Sequence, residues 1–402
     1  MRKIDVRDFN LATRTTSREI NRRIVLNLVR EHQPISRAEL ARRMDVGRGK
    51  VSLLVNELIE AGEILEGEFG ESTRGRKPKM LYVRTHDRLV IAIDVRFSRT
   101  YVMLSDFAGH QIALETFDTV FDVGALVGEM AARVKRLVRA HGASGRIEGI
   151  GLVMPGMVDR STGHVIHSPQ LGWHDVNVRD PLAEATGLPV SIENAPIACA
   201  LAQMWLGEAS NDFVYVTVSD GVGVAIVVDG QVVRGRNDSS GEFGHIRLRP
   251  GGTECLCGKL GCWEAYTSNV ATLSHYLGYD VPPREALHLL REQRISVAEL
   301  IDRARTGDAR ALEALKRTGT ELGTGLSMVL NALNPAQVFV GGEISSAWDL
   351  IWEDVQKEIR AGVLADVVAR TPIIPEQTSA YPRLRGAAAL VAAPIYAAPE
   401  VA

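Results

Sequence analysis

Apolar residues recur at helical spacing early in the chain. Ile20, Ile24 and Leu28 share one face, with Val25 beside them. Pro34 ends this first helix. Ser36-Arg37-Ala38-Glu39 has capping-box spacing, and Leu40 and Met44 give the short second helix its apolar face. Asp45-Val46-Gly47 makes a turn. A third helix from about Arg48 turns Val51, Leu54, Val55, Leu58 and Ile59 inward and stops at Gly62. Two short alternating pieces, 64–65 and 80–83, then bracket the basic stretch 72–79. This predicts a helix-turn-helix followed by a β-hairpin wing.

The texture changes at Arg88. Residues 89–94 are a buried-strand run that ends on Asp94. Strands follow at 101–105 and 112–116, with Gly109 between them, then a helix at 124–140 and a strand at 147–153. Further strands read at 212–218 and 222–228, and Asp229-Gly230 turns the latter into Val232-Val233. A long helix at 308–333 precedes a strand at 336–340 and Gly341-Gly342, and a last helix covers about 384–396. Helices alternating with strands and hairpins predict an α/β chain with two sheet-bearing lobes.

Composition changes this picture little. With 402 residues, 46% hydrophobic and 24% charged, disorder and coiled coil are poor readings. Charge adds more. Residues 1–86 hold 18 Lys/Arg and 12 Asp/Glu, a net of +6, whereas the remainder is net −9. A basic front end on an acidic body points to a module that binds a polyanion, here double-stranded DNA. The contacts expected are Ser36, Arg37, Arg48, Lys50 and Ser52 around the second helix of the motif, and Arg74, Arg76, Lys77 and Lys79 on the wing. Glu66, Glu68 and Glu71 in the wing's first arm are expected to face away from phosphates. No apolar run follows the charged N-terminus, and the Ala-rich stretch 386–399 is too short to span a bilayer. A cytoplasmic protein without a membrane partner is expected.

Three of the four cysteines fall between Cys255 and Cys262. With His245 they offer three thiolates and one imidazole, a set that fits a closed, tetrahedral, structural Zn²⁺ site. The ligands expected are His245, Cys255, Cys257 and Cys262. Cys199 stands alone in a predicted helix and reads as a small core residue.

The element Gly241-Glu242-Phe243-Gly244-His245 and the cysteine motif resemble those of the ROK family, in its transcription-regulator branch. Pro155-Gly156-Met157-Val158-Asp159 and the Gly163…His167-Ser168-Pro169 segment resemble the family's sugar-side loops, and Ile192-Glu193-Asn194 resembles the start of its Glu-Asn-Asp-Ala catalytic element. The resemblance implies a winged helix-turn-helix over 1–86, then a two-lobed, actin-like, sugar-kinase-like body over 87–402. The first lobe would cover about 87–205 plus 384–402, and the second about 206–383. It also implies Asn194, Glu242, His245 and Glu264 as binders of sugar hydroxyls.

The same resemblance exposes departures. Family kinases place a general-base aspartate directly after Glu-Asn, and here that position is Ala195. Their first phosphate loop is Asp-x-Gly-Gly-Thr, and here the chain reads Asp94-Val95-Arg96-Phe97-Ser98. Asp220 adds a negative charge in the second loop. No catalytic residue is assigned. The expected function is a homodimeric or larger DNA-binding regulator, a repressor of carbohydrate-related genes, controlled by a sugar or sugar derivative. Two alternatives stand beside it: an active ATP-dependent sugar kinase with a DNA-binding arm, and a regulator governed by a protein partner.

Overall fold

The computed structural model describes residues 18–69, 77–142, 145–207, 209–236, 238–278, 281–292 and 295–397. The N-terminal head contains α1 (Arg18–His32), β1 (Ile35–Ser36), α2 (Arg37–Arg43), α3 (Arg48–Glu60), β2 (Ile64–Phe69) and β3 (Lys79–Val83). Val25, Leu28, Leu40, Val51, Leu54, Leu58 and Leu81 fill its core. The strands form one antiparallel sheet in the order β1-β3-β2. Two-residue β1 carries no periodicity, so the sequence pattern does not reveal it. Half of the expected capping box forms: Ser36 Oγ accepts the Glu39 N–H at 3.1 Å. The Glu39 carboxylate pairs instead with Arg42 and Arg43, whose charged ends are within reach on its own helix.

The first lobe follows with β4 (Arg88–Val95), β5 (Arg99–Asp106), β6 (Gln111–Asp118), α4 (Val123–His141) and β7 (Arg146–Met154). Next come β8 (Met157–Asp159), β9 (His164–Ser168), β10 (Trp173–Asn177), α5 (Arg179–Thr186), β11 (Val190–Asn194) and α6 (Ala195–Leu206). The main sheet has the order β11-β7-β4-β5-β6, with β8, β9 and β10 in a small sheet of their own. Central β4 is covered on both faces, which is why its sequence is continuously apolar rather than alternating.

The second lobe repeats the plan. It contains β12 (Phe213–Val218), β13 (Val222–Val228), β14 (Gln231–Val232), α7 (Glu264–Thr267), α8 (Asn269–Leu277), α9 (Pro283–Arg291) and α10 (Val297–Arg305). Then come α11 (Ala309–Leu333), β15 (Val338–Gly341), α12 (Trp348–Gly362) and β16 (Ile373–Pro375). In each main sheet, three antiparallel strands are extended by two parallel ones.

The last helix, α13 (Pro382–Tyr396), returns to the first lobe. It lies between β7 and α6 at very short range: a Cβ on Gly386 would come within 2.2 Å of the Ala198 carbonyl oxygen, and one on Gly151 within 1.8 Å of that of Ala387. Its far end meets the head. Asn27 Nδ2 donates to the Tyr396 carbonyl at 2.8 Å and Arg23 to that of Pro394 at 3.2 Å. The apolar cores of the head, α6 and α13 form one continuous cluster. Among the described residues, no helix is long and apolar enough to cross a membrane.

Candidate functional site

Asp94 is the penultimate residue of β4, β11 ends on Asn194, and β12 ends just before Ser219-Asp220. The carboxyl ends of the strands therefore face the crevice between the lobes, where α/β folds bind ligands. A cavity of about 340 Å³ lies there. Asn194, Glu242, His245 and Glu264 all line it, so four residues spread over seventy positions converge. Ala195 lines it too.

Local structure fixes each of these groups. Asn194 caps α6: its Oδ1 accepts the Ile197 N–H at 3.1 Å, which leaves its amide NH₂ for a ligand. Glu242 and His245 sit on one short 3₁₀ turn. That turn starts at Gly241, where φ is +92° and a Cβ would lie 2.0 Å from the Val224 carbonyl oxygen. Buried Glu264 opens α7, and its Oε2 accepts the Val222 N–H at 2.9 Å. Burial pushes the Glu242 carboxyl up, against the pull of His245, and nearby Glu264 adds to the rise.

The donor atoms of His245, Cys255, Cys257 and Cys262 all lie within 4.8 Å of one another. Cys257 Sγ and Cys262 Sγ are 3.8 Å apart, as are Cys255 Sγ and His245 Nδ1. A tetrahedron with metal–sulfur bonds of ~2.3 Å has edges of ~3.8 Å, so the spacing fits a metal ion. The bridges Arg247↔Cys262 and Glu254↔Leu260 hold the loop in this shape. His245 Nδ1 faces the thiols while its Nε2 lies 3.8 Å from Glu242. One imidazole thus joins the metal cluster to the cavity. Cys199 is buried away from the cluster, and burial pushes its thiol up.

The half of the cleft around Asp94 is built differently. Arg96 Nε donates to Asp94 at 2.7 Å, and its Nη1 donates across the lobes to Glu343 at 3.1 Å. Arg383, at the start of α13, pairs with the other Asp94 oxygen at 2.9 Å. Asn269 donates to Glu343 at 3.0 Å and to Asp220 at 3.4 Å. Burial, with Glu343 adding, pushes the Asp220 carboxyl up to about 6. Phe97 is buried against Val270, Leu273 and Leu287 of the second lobe. Arg96 and Phe97, which replace the two glycines expected of a phosphate loop, both anchor one lobe in the other. Gly342 survives for packing reasons: φ is +105°, and a Cβ would lie 1.8 Å from the Val218 carbonyl oxygen.

On the head, Arg48 and Lys50 are exposed at the start of α3 and Ser52 is half-buried one turn on. Arg37 is committed within the head. It pairs with Glu66 at 2.9 Å, donates to Asn56 at 2.9 Å and reaches the Ser52 carbonyl. Lys79 pairs with the same Glu66 at 3.0 Å, and these cations hold that carboxyl below its usual range. Half-buried Glu66 thus takes the nearest cations, which draws Arg37 and Lys79 into pairing within the head. Ser36 spends its hydroxyl on its helix cap. Lys77 is exposed, while Arg74 and Arg76 lie outside the described residues.

Sequence reasoning missed Arg96 and Arg383 as partners of Asp94, and Gln170 and Lys259 as cavity lining, where His167 of the sugar-side segment also lies. Arg383 had no local signal, being 289 positions from Asp94. Exposed Leu53 on the outer face of α3 also went unread. Trp173 does not line the cavity: it is buried and donates to the Phe121 carbonyl at 3.0 Å. His174 stacks on His167, whose imidazole is held below its usual range by burial and by that neighbour.

The model of the ROK family matches residues 91–393, and the chain belongs to that family. Within it the chain is a transcriptional regulator. It is 27% identical over 361 residues to the xylose repressor of Bacillus spizizenii, covering 88% of this chain and 90% of that protein. The crystal structure of a ROK family transcriptional regulator, a homologue of the E. coli MLC protein, superposes with a TM-score of 0.78 at 25% identity, over 94% of this chain and 97% of that one. A ROK family glucokinase from Streptomyces griseus, in complex with glucose and AMPPNP, superposes with a TM-score of 0.65 at 26% identity. It covers 98% of its own chain but 75% of this one.

Proposed function

We propose that this chain is a sugar-responsive transcriptional repressor. In this reading residues 1–86 bind operator DNA and residues 87–402 sense the sugar, in the two-lobe division given above. Asn194, Glu242, His245 and Glu264 take the sugar hydroxyls, as carboxylates, an amide and a fixed imidazole are suited to do. A structural Zn²⁺ held by His245, Cys255, Cys257 and Cys262 would fix the loop that carries them. The chain works in the cytoplasm as a homodimer that offers two α3 helices to a pseudo-palindromic site. Arg48, Lys50 and Ser52 face the bases and nearby phosphates, and the wing lysines and arginines reach the backbone. Arg37 and Ser36 support the motif from within.

One observation carries the reading. Helices α6 and α13 both begin at the cleft, at Asn194 and Arg383, and both end against α1, at Trp205 and Tyr396. Each spans roughly 18–22 Å at 1.5 Å per residue. A sugar that binds two lobe arrangements with unequal affinity therefore shifts the head through two packed rods. Phosphoryl transfer does not fit the cleft. Ala195 accepts no proton, and the guanidinium of Arg96 stands against Asp94 where the phosphate loop would open.

The test measures binding of full-length protein to duplex DNA from upstream of its own gene, with xylose, glucose and other sugars added singly. One sugar should weaken operator binding, and Arg48→Ala with Lys50→Ala should abolish sequence preference. Steady ADP release with any of these sugars would favour the kinase instead.

A further inference from the structure

A second opening lies well away from the sugar cavity. Between the head and the first lobe runs a groove of about 1210 Å³. The end of α1, the β5–β6 turn, the end of α6 and both ends of α13 form its walls. Among the described residues its charged lining is unequal: Arg30 and Arg385 stand with Glu31, while His110 pairs with Asp106 at 3.0 Å.

Arg30 is the unusual group. Its guanidinium lies over the Trp205 ring at 5.1 Å and the Tyr396 ring at 4.9 Å. The carboxylate it pairs with, Glu31, is 4.0 Å away, at the outer limit of an ion pair. Its Nη1 is buried without a protein acceptor, and so is Nε1 of Trp205 beneath it. Burial opposes the charge and pulls the Arg30 pKa down, yet a guanidinium keeps its proton in proteins. Ring faces attract the cation but satisfy its N–H groups poorly. Buried donors are normally paired, and an unpaired one on a charged group is the costliest kind. These unpaired donors of Arg30 and Trp205 lie beneath the wall of a groove that Phe107 and Tyr396 also line. Among the described residues, no carboxylate hydrogen-bonds to these donors.

We propose that this groove is a second effector site, for a small organic oxyanion bearing a phosphate monoester or carboxylate group. Its oxygens meet Arg30 and Arg385, and its apolar body lies along Phe107 and Tyr396. Arg385 is already posed for this, because its Nη2 donates to the Leu206 carbonyl at 2.9 Å and so fixes the side chain at the rim. The groove has α1 of the head on one side and the ends of α6 and α13 on the other, so an anion there braces the joint that those helices act on. Binding at the groove is independent of the sugar reading. Only its effect on operator affinity rests on that reading.

The test titrates full-length protein with phenyl phosphate, benzoate and the neutral analogue phenol, followed by tryptophan fluorescence and calorimetry. At least one anion should bind saturably, with phenol at least about tenfold weaker. The ratio between the two anions identifies the headgroup. Arg30→Gln should weaken the anion at least about tenfold. Arg385→Gln, at the rim and outside the packed core, should do the same and guards against misfolding of the first variant. Xylose should not compete for the groove, and Glu242→Gln should leave the affinity of the sugar-free protein untouched. The proposal is overturned by absence of saturable binding of either anion, by equal binding of phenol, by full affinity in both arginine variants, or by displacement with sugar.

Discussion

The two halves of one cleft have been treated differently. On the sugar side, polar groups converge on open space, and each is held by its own turn, cap or loop. On the phosphate side, side chains of the protein itself occupy the ground. Arg96 and Arg383 clasp Asp94, Glu343 reaches over from the other lobe, and Phe97 is sunk among second-lobe helices. In the proposed reading, a pocket loses a reaction without losing a ligand, because binding hydroxyls and cradling phosphates depend on different loops. The stitched half also gives the lobes a preferred arrangement for a sugar to work against.

Four experiments sharpen this contrast, taken from the largest effect down. Cys257→Ser, or chelation of the metal, should strip the loop that carries His245 and Glu242. Structural zinc sites contribute on the order of 10 kcal/mol, so metal content should fall and sugar affinity should collapse while DNA binding persists. Elemental analysis with a sugar titration reads both.

Arg96→Ala comes next. It leaves the fully buried Asp94 with Arg383 alone, and breaking a buried pair costs about 3–5 kcal/mol. The melting temperature should drop by several degrees with no gain in ATP turnover. A rise in turnover would mean that Arg96 was merely plugging a live kinase.

Glu242→Gln removes a charged acceptor from the sugar side. Hydrogen bonds to charged groups contribute about 1.5–3 kcal/mol, so sugar affinity should fall by roughly 10- to 100-fold with the melting temperature little changed. Unaltered affinity would move the sugar out of this half.

The smallest effect is a pH signature at Asp220. Its carboxyl titrates at about 6 in the folded protein, above the ~3.9 of an unfolded aspartate. The folded state therefore holds that proton more tightly, and stability is lost as pH rises from about 4 through 6. Asp220→Asn removes the penalty, so it should raise the melting temperature at pH 8 and have little effect at pH 4. An equal gain at both values would show that Asp220 stays ionised throughout.

Much of the fold was legible because its signals are local. The period of α1, the cap at Ser36, the apolar run of β4 and the Asp229-Gly230 turn each sit within a few residues. The metal cluster was legible for the same reason, since three of its ligands lie within eight positions. The latch was not. Arg96 reads as a lost glycine until α13 brings Arg383 to the same Asp94 carboxylate and the turn after β15 brings Glu343 to Arg96 itself. The head showed the same limit: Arg37 carries the charge expected of a DNA contact, but Glu66 from the hairpin claims it. Short β1 and the small sheet of β8, β9 and β10 escaped notice because such brief strands show too few alternations to register.

The unbroken apolar cluster from α1 through α6 and α13 has a practical meaning for anyone who would cut this chain. A body severed after residue 86 would expose greasy surface where Trp205 and Tyr396 now rest against α1. Transplanting the reading head onto another regulator would require the matching tail of α13 as well. Head and tail are two pieces of a single joint, and they have to be inherited together.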